Sequence, residues 1–98
     1  MPETLQLLKY EYVDDMATLR TPHRDAHLAA IERSRVAGDL VIGSAVGDPV
    51  HTGVLGFRGG PEVAEAFAAA DPYAAAGLIV SHTVEPWVVV TPLPAPPQ

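Results

Sequence analysis

Two residues carry the chemistry this sequence could perform. His27 lies a turn or so inside a helix-forming stretch, among Ala26, Leu28, Ala30 and Ile31. A histidine in such a setting is either a partly buried ring bonded to a carbonyl or a general acid or base, because imidazole titrates near neutral pH. Asp71 follows a run of alanines and precedes Pro72. It either ends one helix and opens a turn, or it aims a carboxylate back at His27. A carboxylate so placed fixes a histidine's tautomer and orientation.

The remaining candidates are weaker. His23 and His27 stand one helical turn apart and would share a face. They could begin a metal site, but no glutamate completes a His-Glu-x-x-His arrangement and the chain has no cysteine; no metal is expected. Arg24, three residues before His27, could attract an anionic group of a substrate. Ser44 could also bind such a group; neither Ser44 nor Ser81 has the context of a nucleophile elbow, so a serine hydrolase is disfavoured. Gly59-Gly60-Pro61 lacks the lysine and serine of a phosphate loop. His51 and His82 sit on strand-like segments and read as solvent-facing or structural. Tyr10, Tyr12 and Tyr73 read first as packing residues, with Tyr73 also a candidate substrate-binding residue.

These residues need elements to hold them. Leu5 to Val13 alternates Lys9 and Glu11 with Leu8, Tyr10 and Tyr12, the pattern of a half-buried strand. Thr21 is a fitting N-cap with Pro22 behind it, so a helix is expected over 23–37 and Gly38 stops it. Residues 39–46 and 50–58 read as two strands joined at Gly47-Asp48-Pro49. A second helix follows Gly59-Gly60-Pro61, with Val63, Ala64, Phe67 and Ala68 as its apolar stripe. After a short turn at 73–76, residues 78–84 form a fourth strand, and Glu85-Pro86 bends it or starts a fifth at 87–90.

The order β-α-β-β-α-β specifies an α+β domain of the ferredoxin-like, split β-α-β kind: an antiparallel sheet with two helices on one face. Two short helices cannot cover both sheet faces. Leu7, Val41, Val54, Val88 and Val90 would line the bare one, and packing against a second copy is the natural remedy, so a homodimer is expected. Residues 1–90 form one domain; residues 91–98 hold four prolines and read as an extended, mobile tail.

Composition excludes several classes. The formal net charge is −6, from 12 acidic and six basic residues, which leaves no electrostatic footing for nucleic acid. The apolar runs are far shorter than the ~20 residues a membrane helix needs, and the start of the chain has no basic segment or apolar core of a secretory signal. With no cysteine for disulfides, a cytoplasmic location is the default.

The set Arg24-x-x-His27-Leu28, Gly38-x-Leu40 with Gly43, Phe67-x-x-x-Asp71-Pro72-Tyr73-x-x-x-Gly77-Leu78 and Pro86-Trp87 resembles the YCII-related proteins over residues 5 to 90. The resemblance implies a dimeric ferredoxin-like α+β barrel, similar in fold to muconolactone isomerases. It also implies that His27 and Asp71 line a pocket and serve acid–base catalysis, as in family members that dehydrochlorinate aromatic compounds. Ser44-Ala45 stands where the family often has Gly-Pro, so the pocket floor differs. The leading expectation is therefore a small enzyme without a cofactor, in which His27 and Asp71 catalyse isomerisation or elimination on a small cyclic or aromatic compound. The alternative is a non-catalytic small-molecule-binding or accessory dimeric module. A haem or monooxygenase-like member of the same broad fold would need His27 or His51 as an axial ligand, and nothing marks either.

Overall fold

The computed structural model describes residues 3–93. Four strands, β1 (Glu3–Tyr12), β2 (Leu40–Val46), β3 (Thr52–Phe57) and β4 (Ile79–Val89), form one sheet in the order β2-β3-β1-β4, each neighbouring pair antiparallel. Between β1 and β2 run a short helix α1 (Met16–Leu19), a 3-10 turn (Thr21–His23) and helix α2 (Arg24–Val36). Helix α3 (Pro61–Ala70) and the short α4 (Pro72–Ala75) connect β3 to β4. This is the split β-α-β plan, with the helices on one face.

The alternation in β1 works as its sequence implies. Leu8 and Tyr10 are buried and Tyr12 half-buried toward the helices, while Lys9 and Glu11 stay exposed on the other side. Leu8, Tyr10, Leu40, Leu55 and Phe57 from the sheet meet Ala64 and Ala68 of α3, with Ile31, Val63 and Phe67 packed around them. Burial of a side chain such as Leu8 or Phe57 stabilises by roughly 1.5–3 kcal/mol. A smaller cluster of Met16, Tyr73 and Leu78, flanked by Tyr12, Val13 and Val50, closes the sheet end where β1 finishes and β4 begins.

Helix α2 starts later than its cap residue suggests. Thr21 makes no capping bond; the His23 amide instead donates to the Arg20 carbonyl at 2.8 Å, a three-residue turn that holds Pro22 in 3-10 geometry. The far end matches expectation. Gly38 takes φ +87°, and the Asp39 amide returns to the Ser34 carbonyl at 3.1 Å, a glycine-terminated helix end. The short α1 carries little sequence signal and is an addition to the expected elements.

Two further expectations are corrected. β4 is one continuous strand through Pro86, which pairs opposite Gln6, so no separate fifth strand starts at 87. It is an edge strand, and a proline without an N–H is tolerated on an edge that has no neighbour. The uncovered sheet face also differs in membership. Val88 lies opposite Thr4 and so points to the helix side, Val90 falls beyond the strand, and Val41 sits at the irregularity between Leu40 and Ile42. The apolar residues on the uncovered side are Leu5, Leu7, Ile42, Val46, Val54, Trp87 and Val89. Leu5 and the Trp87 ring converge over Gly56, where a Cβ would stand 3.2 Å from Trp87 and 3.3 Å from Leu5. Of the tail expected over 91–98, residues 94–98 lie outside the described residues.

Candidate active site

Three elements meet at the sheet end beneath the start of α2. β1 contributes Tyr10 and Tyr12, whose even positions face the helices. α2 contributes His27, its one buried residue. The α3–α4 junction contributes Asp71 and Tyr73, because the Asp-Pro pair ends α3 in an extended conformation (φ −65°, ψ 127°) and turns the carboxylate inward.

Asp71 is 1% exposed and accepts three hydrogen bonds. The Tyr10 hydroxyl donates to Oδ2 at 2.8 Å. The Tyr73 amide donates to Oδ1 at 2.9 Å. His27 Nδ1 lies 2.8 Å from the same Oδ1. A backbone amide and a tyrosine hydroxyl held this way suit an acceptor-only, ionised carboxylate, and that acceptor assigns the histidine the tautomer with its proton on Nδ1. The Tyr73 ring stacks on the imidazole, with centroids 3.8 Å apart and planes 10° from parallel. Stacking and the Asp71 bond together fix the ring, and its Nε2 edge is the one left to reach a ligand. Burial, with the Asp71 charge second, pushes the Tyr10 hydroxyl far above the ordinary tyrosine range. Tyr12 is raised by the same causes in the same order, while Arg20 and Arg24 pull it partly back.

His27 borders a cavity of about 280 Å³ shared with Tyr12, Arg20, Arg24, Leu28, Ile31, Gly43, Val50 and Tyr73. Its Tyr12 wall depends on Gly53, since a Cβ there would collide with the Tyr12 hydroxyl and stand 2.9 Å from the ring. Arg24 is exposed at the rim. Ser44 touches the cavity margin, but its hydroxyl donates to the Val54 carbonyl at 2.8 Å. The structure therefore brings His27, Asp71 and Tyr73 into direct contact and sets Arg24 and Ser44 at the rim. Among the described residues no group of three or more His, Cys, Asp and Glu side chains is placed to hold a metal ion. His23 does not border the cavity. His51 pairs with Thr52 Oγ1 at 2.7 Å, and His82 with Glu65 Oε1 at 2.6 Å on the exposed side of α3.

Three contributors do not stand out as functional in the sequence. Tyr10 is legible in part: it alternates with Leu8 on the buried face of β1, which directs it under the helices. Nothing in the sequence tells that its hydroxyl meets Asp71. Tyr12 follows by the same parity. Arg20 precedes α2 by an irregular segment, and no periodicity places it.

No family model and no curated protein matches the chain. Among solved structures, the chain is similar in fold to 5-chloro-2-hydroxyhydroquinone dehydrochlorinase (TftG) from Burkholderia phenoliruptrix AC1100, determined in complex with 2,5-dihydroxybenzoquinone. The TM-score is 0.66 at 23% identity, over 85% of this chain and 92% of that one. At this identity the likeness establishes the fold. No helix among the described residues is long and apolar enough to cross a membrane.

Proposed function

We propose that this protein is a cytoplasmic, homodimeric enzyme of the YCII-related kind that uses His27 for acid–base chemistry on a small cyclic or aromatic compound, without a cofactor. The observation that carries this reading is the buried chain Tyr10–Asp71–His27, which fixes the imidazole by one nitrogen and leaves the other for the cavity. In this reading Nε2 takes a proton from a substrate carbon or hydroxyl. Asp71 is the positioning residue and balances the charge that the ring gains. Arg24, Tyr73 and the margin at Ser44 contact the substrate. Isomerisation returns the proton to another carbon. Elimination of hydrogen chloride sends the proton to His27 and then to water, while chloride leaves with the electrons of the C–Cl bond. Neither reaction consumes an oxidant or a reductant. The likeness to a dehydrochlorinase supports the elimination version, and the apolar outer face from Leu7 to Trp87 supports the dimer.

The test is incubation in D2O with a panel of chlorinated and unchlorinated hydroxyquinols and cyclic enones headed by 5-chloro-2-hydroxyhydroquinone. Chloride release and deuterium entry at carbon are measured. Wild type should act on a member of the panel, and His27→Gln should lower the rate by roughly 10²–10⁴-fold, the usual worth of a positioned base. Equal rates for the two proteins would remove His27 from the chemistry. Ligand binding without any exchange or chloride release would favour the binding-module reading.

A further inference from the structure

The chain holds twice as many acidic as basic side chains, 12 against six. Three of the basic side chains are paired with carboxylates: Lys9 with Glu11, Arg35 with Glu32 and Arg58 with Glu3. Among the described residues, Arg20, Arg24 and Arg33 make no ion pair; Arg33 lies in the groove between α2 and α3, and Arg20 and Arg24 both stand at the His27 cavity. No described Asp or Glu side chain lines that cavity. Asp71 is nearby but is sealed behind the imidazole and accepts three bonds there. Asp14, Asp15 and Asp48 line a separate cavity on the other side of Tyr12 and Val50. Both arginines line that cavity together with Tyr12, and both partly offset the rise that burial gives its hydroxyl.

The Tyr73 ring, stacked on the imidazole, borders the same cavity, while its hydroxyl is buried out of reach of a ligand there. A protein with net charge −6 gains nothing in solubility from leaving two guanidiniums together and unpaired. Guanidinium is the side chain suited to holding carboxylate and similar oxyanions.

We infer that the compound bound in the His27 cavity carries an anionic oxygen at neutral pH, a carboxylate or an enolate or phenolate, held by Arg20 and Arg24, with the Tyr73 ring as a neutral contact. This inference rests on the reading of the His27 cavity as a ligand site and adds the charge of the ligand. It also makes Arg20 a specificity-determining residue. A negative oxygen fixed at the rim presents the ring to Nε2 and keeps neutral analogues from competing.

The experiment compares matched probes by NMR titration at low salt: benzoate against benzamide, and 4-nitrophenolate against 4-nitroanisole. Each pair keeps the shape nearly constant and removes the charge. Expected are tighter binding of one or both anions than of their neutral partners, by roughly tenfold or more, with shifts at His27 and Tyr73. The preference should weaken in Arg20→Gln and Arg24→Gln and vanish in the double variant. Arg33→Gln, at an arginine in the groove between α2 and α3 and away from His27, should keep it. Preference for benzoate assigns a carboxylate; preference for nitrophenolate assigns an enolate or phenolate. Equal binding of charged and neutral probes, no binding of either anion, or an anion preference that survives the double variant overturns the inference. These outcomes are independent of the exchange assay: anion preference with no effect of His27→Gln on turnover sinks only the acid–base reading, and turnover without anion preference sinks only this one.

Discussion

Replacing Asp71 by Asn keeps the outline of the side chain and removes its charge, and its cost can be worked out donor by donor. The Asn carbonyl can occupy the Oδ1 position and still accept from the Tyr73 amide and from His27 Nδ1. Both bonds then fall from charge-assisted to neutral strength, a loss of about 1 kcal/mol each. The amide nitrogen replaces Oδ2 and meets a Tyr10 hydroxyl that had been donating. That hydroxyl must turn round, leaving its own proton without an acceptor in a site where Tyr10 is fully buried. Relief from burying a charge offsets part of this, so a net loss of about 2–4 kcal/mol is expected, against a total stability of about 5–15 kcal/mol for a domain of this length. The sharper quantity is the coupling to Tyr10→Phe. With Asp71 in place that substitution strips a charge-assisted bond and should cost about 1.5–3 kcal/mol; in the Asp71→Asn background it should cost little. The double-mutant cycle, measured by urea unfolding at unchanged m-value, should therefore give a coupling of about 1.5–3 kcal/mol. The small void left by the hydroxyl cancels in the cycle. Additivity within about 0.5 kcal/mol would refute the claim that Tyr10 supports the carboxylate.

Other measurements bear on neighbouring parts of the structure. Burial, with the Asp71 charge second, holds the Tyr10 and Tyr12 hydroxyls above their ordinary range, so the unfolded chain releases their protons first as pH rises past about 10. Stability should then fall by about 2 kcal/mol between about pH 10 and 11 for the two together, and a flat unfolding free energy over that window contradicts this. Gly53→Ala should cost about 1–3 kcal/mol by driving Tyr12 from its place over the strand, and should weaken ligand binding in NMR titrations. Tyr73→Phe removes a buried hydroxyl with no partner and should leave the melting temperature equal or higher, whereas Tyr73→Leu, which loses the stack on His27, should lower it. Leu7→Lys places a charge in the middle of the uncovered sheet face; on the proposed dimer, light scattering should give a dimer mass for the wild type and a monomer mass for the variant, and an unchanged mass would exclude that face as the interface.

The sheet was legible because its signals are local and repeated. Alternation in β1, Gly38 after α2 and Gly59-Gly60-Pro61 before α3 each act within a few residues, and the order of elements then leaves few topologies. What failed depended on neighbours that the sequence does not show. Pro86 looks like a break until β4 is known to be an edge, and Val88 looks like part of the outer face until its register against Thr4 is known. Thr21-Pro22 has the composition of a helix start but closes a 3-10 turn on the Arg20 carbonyl.

Asp71 shows most clearly where reading residues one at a time stops. Its two sequence readings, a turn-opening aspartate and a partner for His27, look like alternatives, yet both hold, and at one atom. Oδ1 accepts from the Tyr73 amide, which caps α4, and from His27 Nδ1. The cap fixes where the oxygen sits, so the local turn is what aims the carboxylate at a ring 44 positions away in sequence. The same turn delivers the Tyr73 ring onto the imidazole face. A single Asp-Pro-Tyr segment thereby sets the tautomer, orientation and packing of His27, and Pro72 matters because it holds the chain extended at Asp71. In this fold the helix end and the candidate active site meet at one carboxylate oxygen, so a substitution of Asp71 alters stability and the geometry presented to the cavity together.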